Sequence, residues 1–213
     1  CATPWNPVFR GWAGLDEVVS ARVYALAGVP SPAMHHLHFR VIDNAAEAPA
    51  DQYLGDVWGL YLAVEDPDGS FLDERGLPDG NVYHIAGNGG DKTHQSPGQP
   101  SDTSDWDAFR NSSQSNTANT PANETWWRAN LDVAAYSSFH AANRITGNVD
   151  LREGWNHYFY HRVTDNRWVP IPWDLDMMYF PETHWSGTID QKNALLMSGI
   201  GIEFKNRSRE LLD

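Results

Sequence analysis

The stretch that most constrains this chain runs from Gly147 to Asp176, GNVDLREGWNHYFYHRVTDNRWVPIPWDLD. A polar loop carrying Asp150 and Asn156 leads into an apolar run, YFYHRV. The turn TDN follows, then a second run, RWVPI, that ends in Pro172-Trp173-Asp174-Leu175-Asp176. Two antiparallel strands closed by a tight turn bring their outer ends together. Asp150 and Asn156, entering the first strand, are therefore expected beside Asp174 and Asp176, leaving the second. Several carboxylates and an amide at one mouth repel one another and are costly to bury unpaired. A hard cation relieves that cost, and oxygen-only ligands suit Mg²⁺, Mn²⁺ or Ca²⁺.

Protein kinases use a comparable layout. A loop Asp receives the proton of the attacking hydroxyl, an Asn a few residues on holds one metal ion, and an Asp beyond a hairpin holds metal against the phosphates. The order here is Asp150, Asn156, hairpin, Asp174. The motifs HRD and DFG are absent from the sequence. A surface hairpin with acidic flanks is the plain competing reading of the same spacing.

The residues around this hairpin, N-x-D, then N-H-Y-F-Y, then R-W-V-P-I-P-W-D-L-D, resemble the spore-coat protein H (CotH) family of atypical kinases. Earlier and later segments fit in the same order: ARVYALAGVPSP, WGLYLAVEDPDGSFLDERG, NVYH and FKNRSRELL. The resemblance covers most of the chain, and P-I-P-W-D-L-D is its most specific piece. It implies a reduced, kinase-like α+β fold and ATP- and metal-dependent phosphorylation of protein Ser/Thr. By that likeness Asp150 is the catalytic residue, Asn156, Asp174 and Asp176 are metal ligands, and Glu65 lies near the nucleotide. The family commonly has Lys where this chain has His84. A phosphate-binding lysine on an early strand is not evident, since Lys92 is expected in a loop and Lys192 and Lys205 come late.

Composition sets the class. The 213 residues are 41% hydrophobic and 12% aromatic, which is enough for a packed core. With 15 basic against 28 acidic residues the net charge is −13, which argues against a nucleic-acid surface and against an anionic membrane surface. An acidic chain of this kind suits a secreted protein, and with the resemblance points to an extracellular, cell-surface or spore-surface location. The single cysteine, Cys1, permits no internal disulfide. No apolar run approaches the ~20 residues of a membrane span. The chain has no initiator Met and reads as a piece of a longer polypeptide.

Three parts are expected: a sheet-rich part over residues 1–85, a polar loop over 86–122 and a helical, hairpin-bearing part over 123–213. Residues 1–14 read as an irregular lead-in. From Leu15 to Ala27 the apolar residues Leu15, Val18, Val19, Val23 and Leu26 recur at helical spacing, and Gly28, Pro30 and Pro32 end the helix. Arg22 on this helix either is solvated or, in a kinase-like lobe, reaches phosphate. His35, His36 and His38 alternate with Leu37, Phe39 and Val41 as in a half-buried strand. A zinc reading of these histidines lacks a completing Cys or carboxylate. A loop, NAAEAPADQYLGD, leads to a second strand, VWGLYLAVE, to make a small antiparallel sheet spanning roughly 34–85. Asp68 is the expected N-cap of SFLDERG. Asp66, Asp68 and Gly69 imitate the start of a calcium loop, but Leu77 stands where its bidentate Glu belongs. Trp126 to Ile145 reads as one long helix with Leu131, Ala135, Phe139 and Ala142 buried. An aromatic loop, MMYFPETHWSG, and two closing helices complete the chain.

Two readings from other classes compete with a kinase: a non-catalytic, CotH-like binding or coat module, and a domain stabilised by Ca²⁺ without nucleotide.

Overall fold

The computed structural model describes residues 2–4, 14–40, 57–87, 89–179, 189 and 191–213. The 44–56 connection and most of the 177–187 aromatic loop lie outside the described residues, as do Val41 and the side chain of Phe39.

Two antiparallel sheets organise the α+β fold. The first has strand order β1-β3-β2, from β1 (Ala2–Pro4), β2 (Met34–Arg40) and β3 (Val57–Val64), with His36 opposite Leu62 and Ala2 opposite Ala63. Residues 2–4, read as irregular from sequence, thus form an edge strand. The second sheet has order β5-β4-β6-β7, from β4 (Gly80–Ile85), β5 (Gly90–His94), β6 (His157–Arg162) and β7 (Trp168–Pro172). The expected hairpin is β6–β7, with His157 opposite Pro172 and His161 opposite Trp168. β4 was expected in the first sheet, but it pairs along β6, from Gly80 opposite Arg162 to Ile85 opposite His157. Gly80 permits this approach, because a Cβ there would collide with the His161 carbonyl.

Alternation along these strands divides the core in two. Val82, Tyr158, Tyr160, Val169 and Ile171 face Phe71 and Leu72 of helix α2 (Gly69–Glu74). Tyr83, Ile85, Phe159 and Trp168 face the larger cluster built by the other helices. Asp68 caps α2 as expected, accepting from the backbone N–H of Ser70 and Phe71.

The sequence reading of 86–122 as a polar loop is corrected. Beyond β5 this segment contains helix α3 (Ser104–Ser115), whose Trp106 and Phe109 are buried. Trp106 packs against Phe159 and edge-on to Trp168, and Phe109 stacks on Trp168. The polar residues that suggested a loop are tied down instead. The Asp105 carboxylate accepts from Tyr83 Oη, Asn81 Nδ2 (3.1 Å) and His161 Nδ1 (2.8 Å). Lys92 donates to the carbonyls of Pro100 (2.5 Å) and Asp102 (2.6 Å).

The long helix expected over 126–145 is two helices. α4 (Pro121–Asn130) ends at Leu131, whose backbone is extended. α5 (Val133–Thr146) restarts with Asp132 as N-cap, accepting from Ala135 N at 3.0 Å. Leu131, Phe139 and Ala142 are buried as expected, but Leu131 lies in the break between the helices and the other two on α5, where Ala135 is only half-buried. α1 (Leu15–Leu26) has the expected ends and a different inner face. Glu17, Ser20, Ala21 and Tyr24 are buried, whereas Leu15, Val19 and Leu26 are exposed. Tyr24 sets this face: its ring packs on Phe139 and its hydroxyl donates to Asn143 Oδ1 of α5. The closing segment is a 3₁₀ turn (Lys192–Leu196) and α6 (Ser198–Glu210), with Ala194, Ile200 and Phe204 buried and Leu212 exposed.

Candidate active site

The site is built where α5 ends. Gly147 closes that helix in the left-handed conformation, φ 59°. Asn148 is buried, and its Oδ1 accepts from the backbone N–H of Asp150 (3.0 Å) and Leu151 (3.1 Å). This Asx turn fixes the loop, while the buried side chains of Val149 and Leu151 on either side hold Asp150 toward the surface. Two backbone bonds tie the loop to the segment after β7: Tyr179 N to Thr146 O (2.8 Å) and Val149 N to Met177 O (3.4 Å).

The other half comes from the far end of the hairpin. Asp174 has φ 55° and ψ 62°, and a 3₁₀ turn (Leu175–Met177) follows it. Leu175 is fully buried, so Asp174 and Asp176 flank an anchored apolar residue. The outcome is the cluster expected from the hairpin geometry. Asp150, Asp174 and Asp176 each offer a carboxylate oxygen, all within 4.8 Å of one another and all half-buried. Asn156, also left-handed at φ 66°, donates from Nδ2 to Asp150 Oδ2 at 2.7 Å and to the Asp150 carbonyl at 3.1 Å. The donor set consists of oxygens in a space small enough for one ion, which fits a hard divalent cation rather than zinc.

His84 of β4 borders this cluster. It stacks on Tyr158 (4.6 Å between ring centroids) and meets Trp173 edge-on. Burial lowers its pKa against the opposing pull of Asp91, Asp174 and Asp66, so the imidazole is neutral at pH 7. Lys192 pairs with Glu153, inside the loop between Asp150 and Asn156. Arg152 in the same loop lies over the Trp155 ring at 4.9 Å.

Glu65 and Arg22 are not drawn into the cluster. Glu65 accepts from Arg75 Nη1 (2.9 Å) and from Ala33 N (2.7 Å), and its pKa is lowered despite the desolvation that opposes this. It joins the end of β3 to α2 and to the start of β2. Arg22 lies on the wall of a separate cavity beside α1. Sequence reading missed Asn148, although N-x-D has the form of an Asx turn; the signal was present and was attributed to Asp150 alone.

A family model described as CotH kinase protein matches residues 15–205, from the start of α1 to within α6. The chain belongs to the CotH kinase family. The match spans every strand from β2 to β7, the hairpin and every residue of the acidic cluster, so the α+β architecture described above is the kinase-like fold of that family. No curated protein matches the chain. A kinase family uses ATP and a divalent metal, and the acidic cluster gathers carboxylates that could hold such a metal. No described helix is long and apolar enough to cross a membrane.

Proposed function

We propose that this protein transfers the γ-phosphoryl group of ATP to Ser or Thr hydroxyls of a protein acceptor. The observation that carries the reading is the convergence of Asp150, Asp174 and Asp176 with the Asn156 amide hydrogen-bonded to Asp150. Mg²⁺ or Mn²⁺ bound there would neutralise phosphate charge and align the triphosphate. Asp174 and Asp176 would hold the cation. Asp150 orients the acceptor hydroxyl and receives its proton. A carboxylate can only accept, so Asn156 must present Nδ2 to Asp150, which turns its Oδ1 the other way, as a metal ligand requires. Positioning and charge neutralisation supply most of the rate in phosphoryl transfer, so the proposed reaction asks for no covalent intermediate on the protein.

The test is transfer of label from γ-labelled ATP to a Ser/Thr-rich acceptor such as casein, with Mn²⁺ or Mg²⁺. Wild type is expected to incorporate label. Asp150→Asn is expected to bind nucleotide but incorporate little, and Asp174→Asn to lose both. Equal incorporation by wild type and Asp174→Asn would overturn the assignment. A non-catalytic binding module is the second reading, favoured by the neutral His84 where the family resemblance has Lys. It predicts metal and nucleotide binding without incorporation.

A further inference from the structure

The last helix sorts its charges. Glu203 and Glu210 of α6 line the cleft toward the first turns of α5, and each is paired, with Arg128 (2.6 Å) and Arg207 (3.0 Å) respectively. Lys205 and Arg209 share another face of α6 with Ile202, at spacings of three and four residues. Arg144 of α5 joins them, its guanidinium lying 5.0 Å from the centre of the Phe204 ring. Among the described residues no carboxylate pairs with Arg144, Lys205 or Arg209.

These three cations rim a groove between α6, the end of α5 and the 3₁₀ turn that precedes α6. Two cavities, of about 530 and 360 Å³, have Arg144, Phe204 and Lys205 as common walls and so adjoin. The other walls are mainly apolar, with Ile145, Leu195, Leu196, Ile202 and Leu212. Leu196, Ile202 and Leu212 are 57%, 58% and 72% exposed, so the apolar surface of the groove is open to a partner. Single apolar residues scattered over a surface are ordinary, but several lining one groove under a charged rim mark a contact surface. No carboxylate lines either cavity among the described residues, although the chain has 28 acidic residues against 15 basic.

We propose that this groove docks an acidic amphipathic helix of a partner protein, its apolar residues against Leu196, Ile202 and Leu212 and its carboxylates against Arg144, Lys205 and Arg209. From Ile202 to Leu212 the groove runs for about 15 Å, the length of roughly three turns of a docked helix. The sign of the partner follows from charge complementarity: cations without carboxylates around an apolar groove attract an acidic segment and repel a basic one. A second copy fits poorly, because two-fold pairing sets this face against itself, cation against cation. A flat anionic membrane also meets the −13 charge of the whole chain, whereas a helix in the groove stays within the ~8 Å over which the rim cations act at physiological salt. None of Asp150, Asn156, Asp174 or Asp176 lines the groove, so docking here and metal binding there are separate events.

The experiment is fluorescence anisotropy of the whole chain with a labelled two-heptad peptide of repeat LEELLEE, beside one control with Lys for Glu and another with Ser for Leu. The acidic amphipathic peptide is expected to bind saturably, and both controls at least tenfold more weakly. Lys205→Glu combined with Arg209→Glu is expected to weaken the acidic peptide at least tenfold and to tighten binding of the basic one. Ile202→Ser is expected to weaken the acidic peptide about tenfold through lost apolar contact. All three positions are exposed, and melting curves matching wild type establish that the variants fold. Absence of saturable binding by the acidic peptide, or wild-type affinity in the double variant, overturns the proposal. Tighter binding to phosphatidylserine vesicles than to the peptide, or dimerisation of wild type that the double variant loses, overturns it as well. Mn²⁺ binding at the carboxylate cluster, measured in parallel, is expected to be the same in all three proteins, so failure here does not bear on the kinase reading.

Discussion

Asn156 reaches back across the loop to donate from Nδ2 to Asp150 Oδ2 at 2.7 Å, and it does so from a left-handed backbone at φ 66°. The amide fixes the carboxylate, and the unusual backbone aims the amide. Asp174 repeats the device at φ 55° on the opposite side of the cluster. Two non-glycine residues in this conformation within one cluster indicate that geometry has been kept at some cost in stability.

The two contributions of Asn156 separate by substitution. Asn156→Gly and Asn156→Ala both remove the amide, so both are expected to weaken Mn²⁺ binding by 10- to 100-fold, the usual effect of losing a group that orients a ligand. Only Ala also bears the left-handed strain. It is expected to be about 1 kcal/mol less stable than Gly in urea unfolding. Equal stability of the two variants would show that the positive φ carries no penalty.

His140 makes the fold acid-sensitive. Burial, with smaller effects from Arg144 and His157, pushes its pKa down from 6.5 to about 3. The folded state thus holds a neutral imidazole that the unfolded chain protonates below pH 6.5. Stability is fully present above that pH and falls as pH drops toward about 3, by up to about 1.4 kcal/mol per pH unit from this group. His140 Nε2 has no hydrogen-bond partner, so His140→Phe removes the titration without stranding a donor. Urea midpoints at pH 7 and pH 5 should differ less in His140→Phe than in wild type, and identical pH dependence would rule the mechanism out.

The helix within the polar 86–122 segment is core. Trp106 is 1% exposed among Tyr83, Phe109, Phe159 and Trp168. Trp106→Ala is expected to cost about 3–5 kcal/mol, the range for large aromatics in cores. A loop residue would cost less than about 0.5 kcal/mol, and chemical denaturation distinguishes the two.

What the sequence revealed depended on how local the cause was. The hairpin and its acidic mouth were legible because strand pairing over a short turn is local, and so was the Asp68 cap. The inner face of α1 was not, because it is chosen by Tyr24 meeting Asn143 in a helix 119 residues away, against the pull of Leu15, Val19 and Leu26. α3 was obscured by its Ser, Asn and Asp content, and the partners of its Asp105, namely Tyr83, Asn81 and His161, lie on the strands β4 and β6. The break between α4 and α5 was readable in Asp132, a good N-cap, but the continuous apolar pattern on both sides concealed it.

Asp105 binds those strands to α3. Its carboxylate is held down to about 2 by hydrogen bonds from His161, Tyr83 and Asn81, in spite of burial, which raises it. Asp105→Asn must set an amide N–H against one of these donors, and is expected to cost about 1–3 kcal/mol. Asp107→Asn, one helical turn-face away and exposed, is expected to stay within about 0.5 kcal/mol of wild type. Similar losses in the two variants, measured by thermal unfolding, would remove the special role of Asp105.

The central claim is that the Asp150, Asp174 and Asp176 cluster holds a divalent metal that in turn holds ATP. Its most direct test is thermal unfolding of wild type and Asp174→Asn with Mn²⁺, with ATP, and with both. A ligand bound only by the native state adds about 2.7 kcal/mol at a hundredfold excess over its Kd. Wild type is expected to gain from Mn²⁺ and to gain further from ATP only when Mn²⁺ is present, with both gains lost in Asp174→Asn. An ATP shift that survives in Asp174→Asn, or the absence of any ATP shift with Mn²⁺ in wild type, would contradict it.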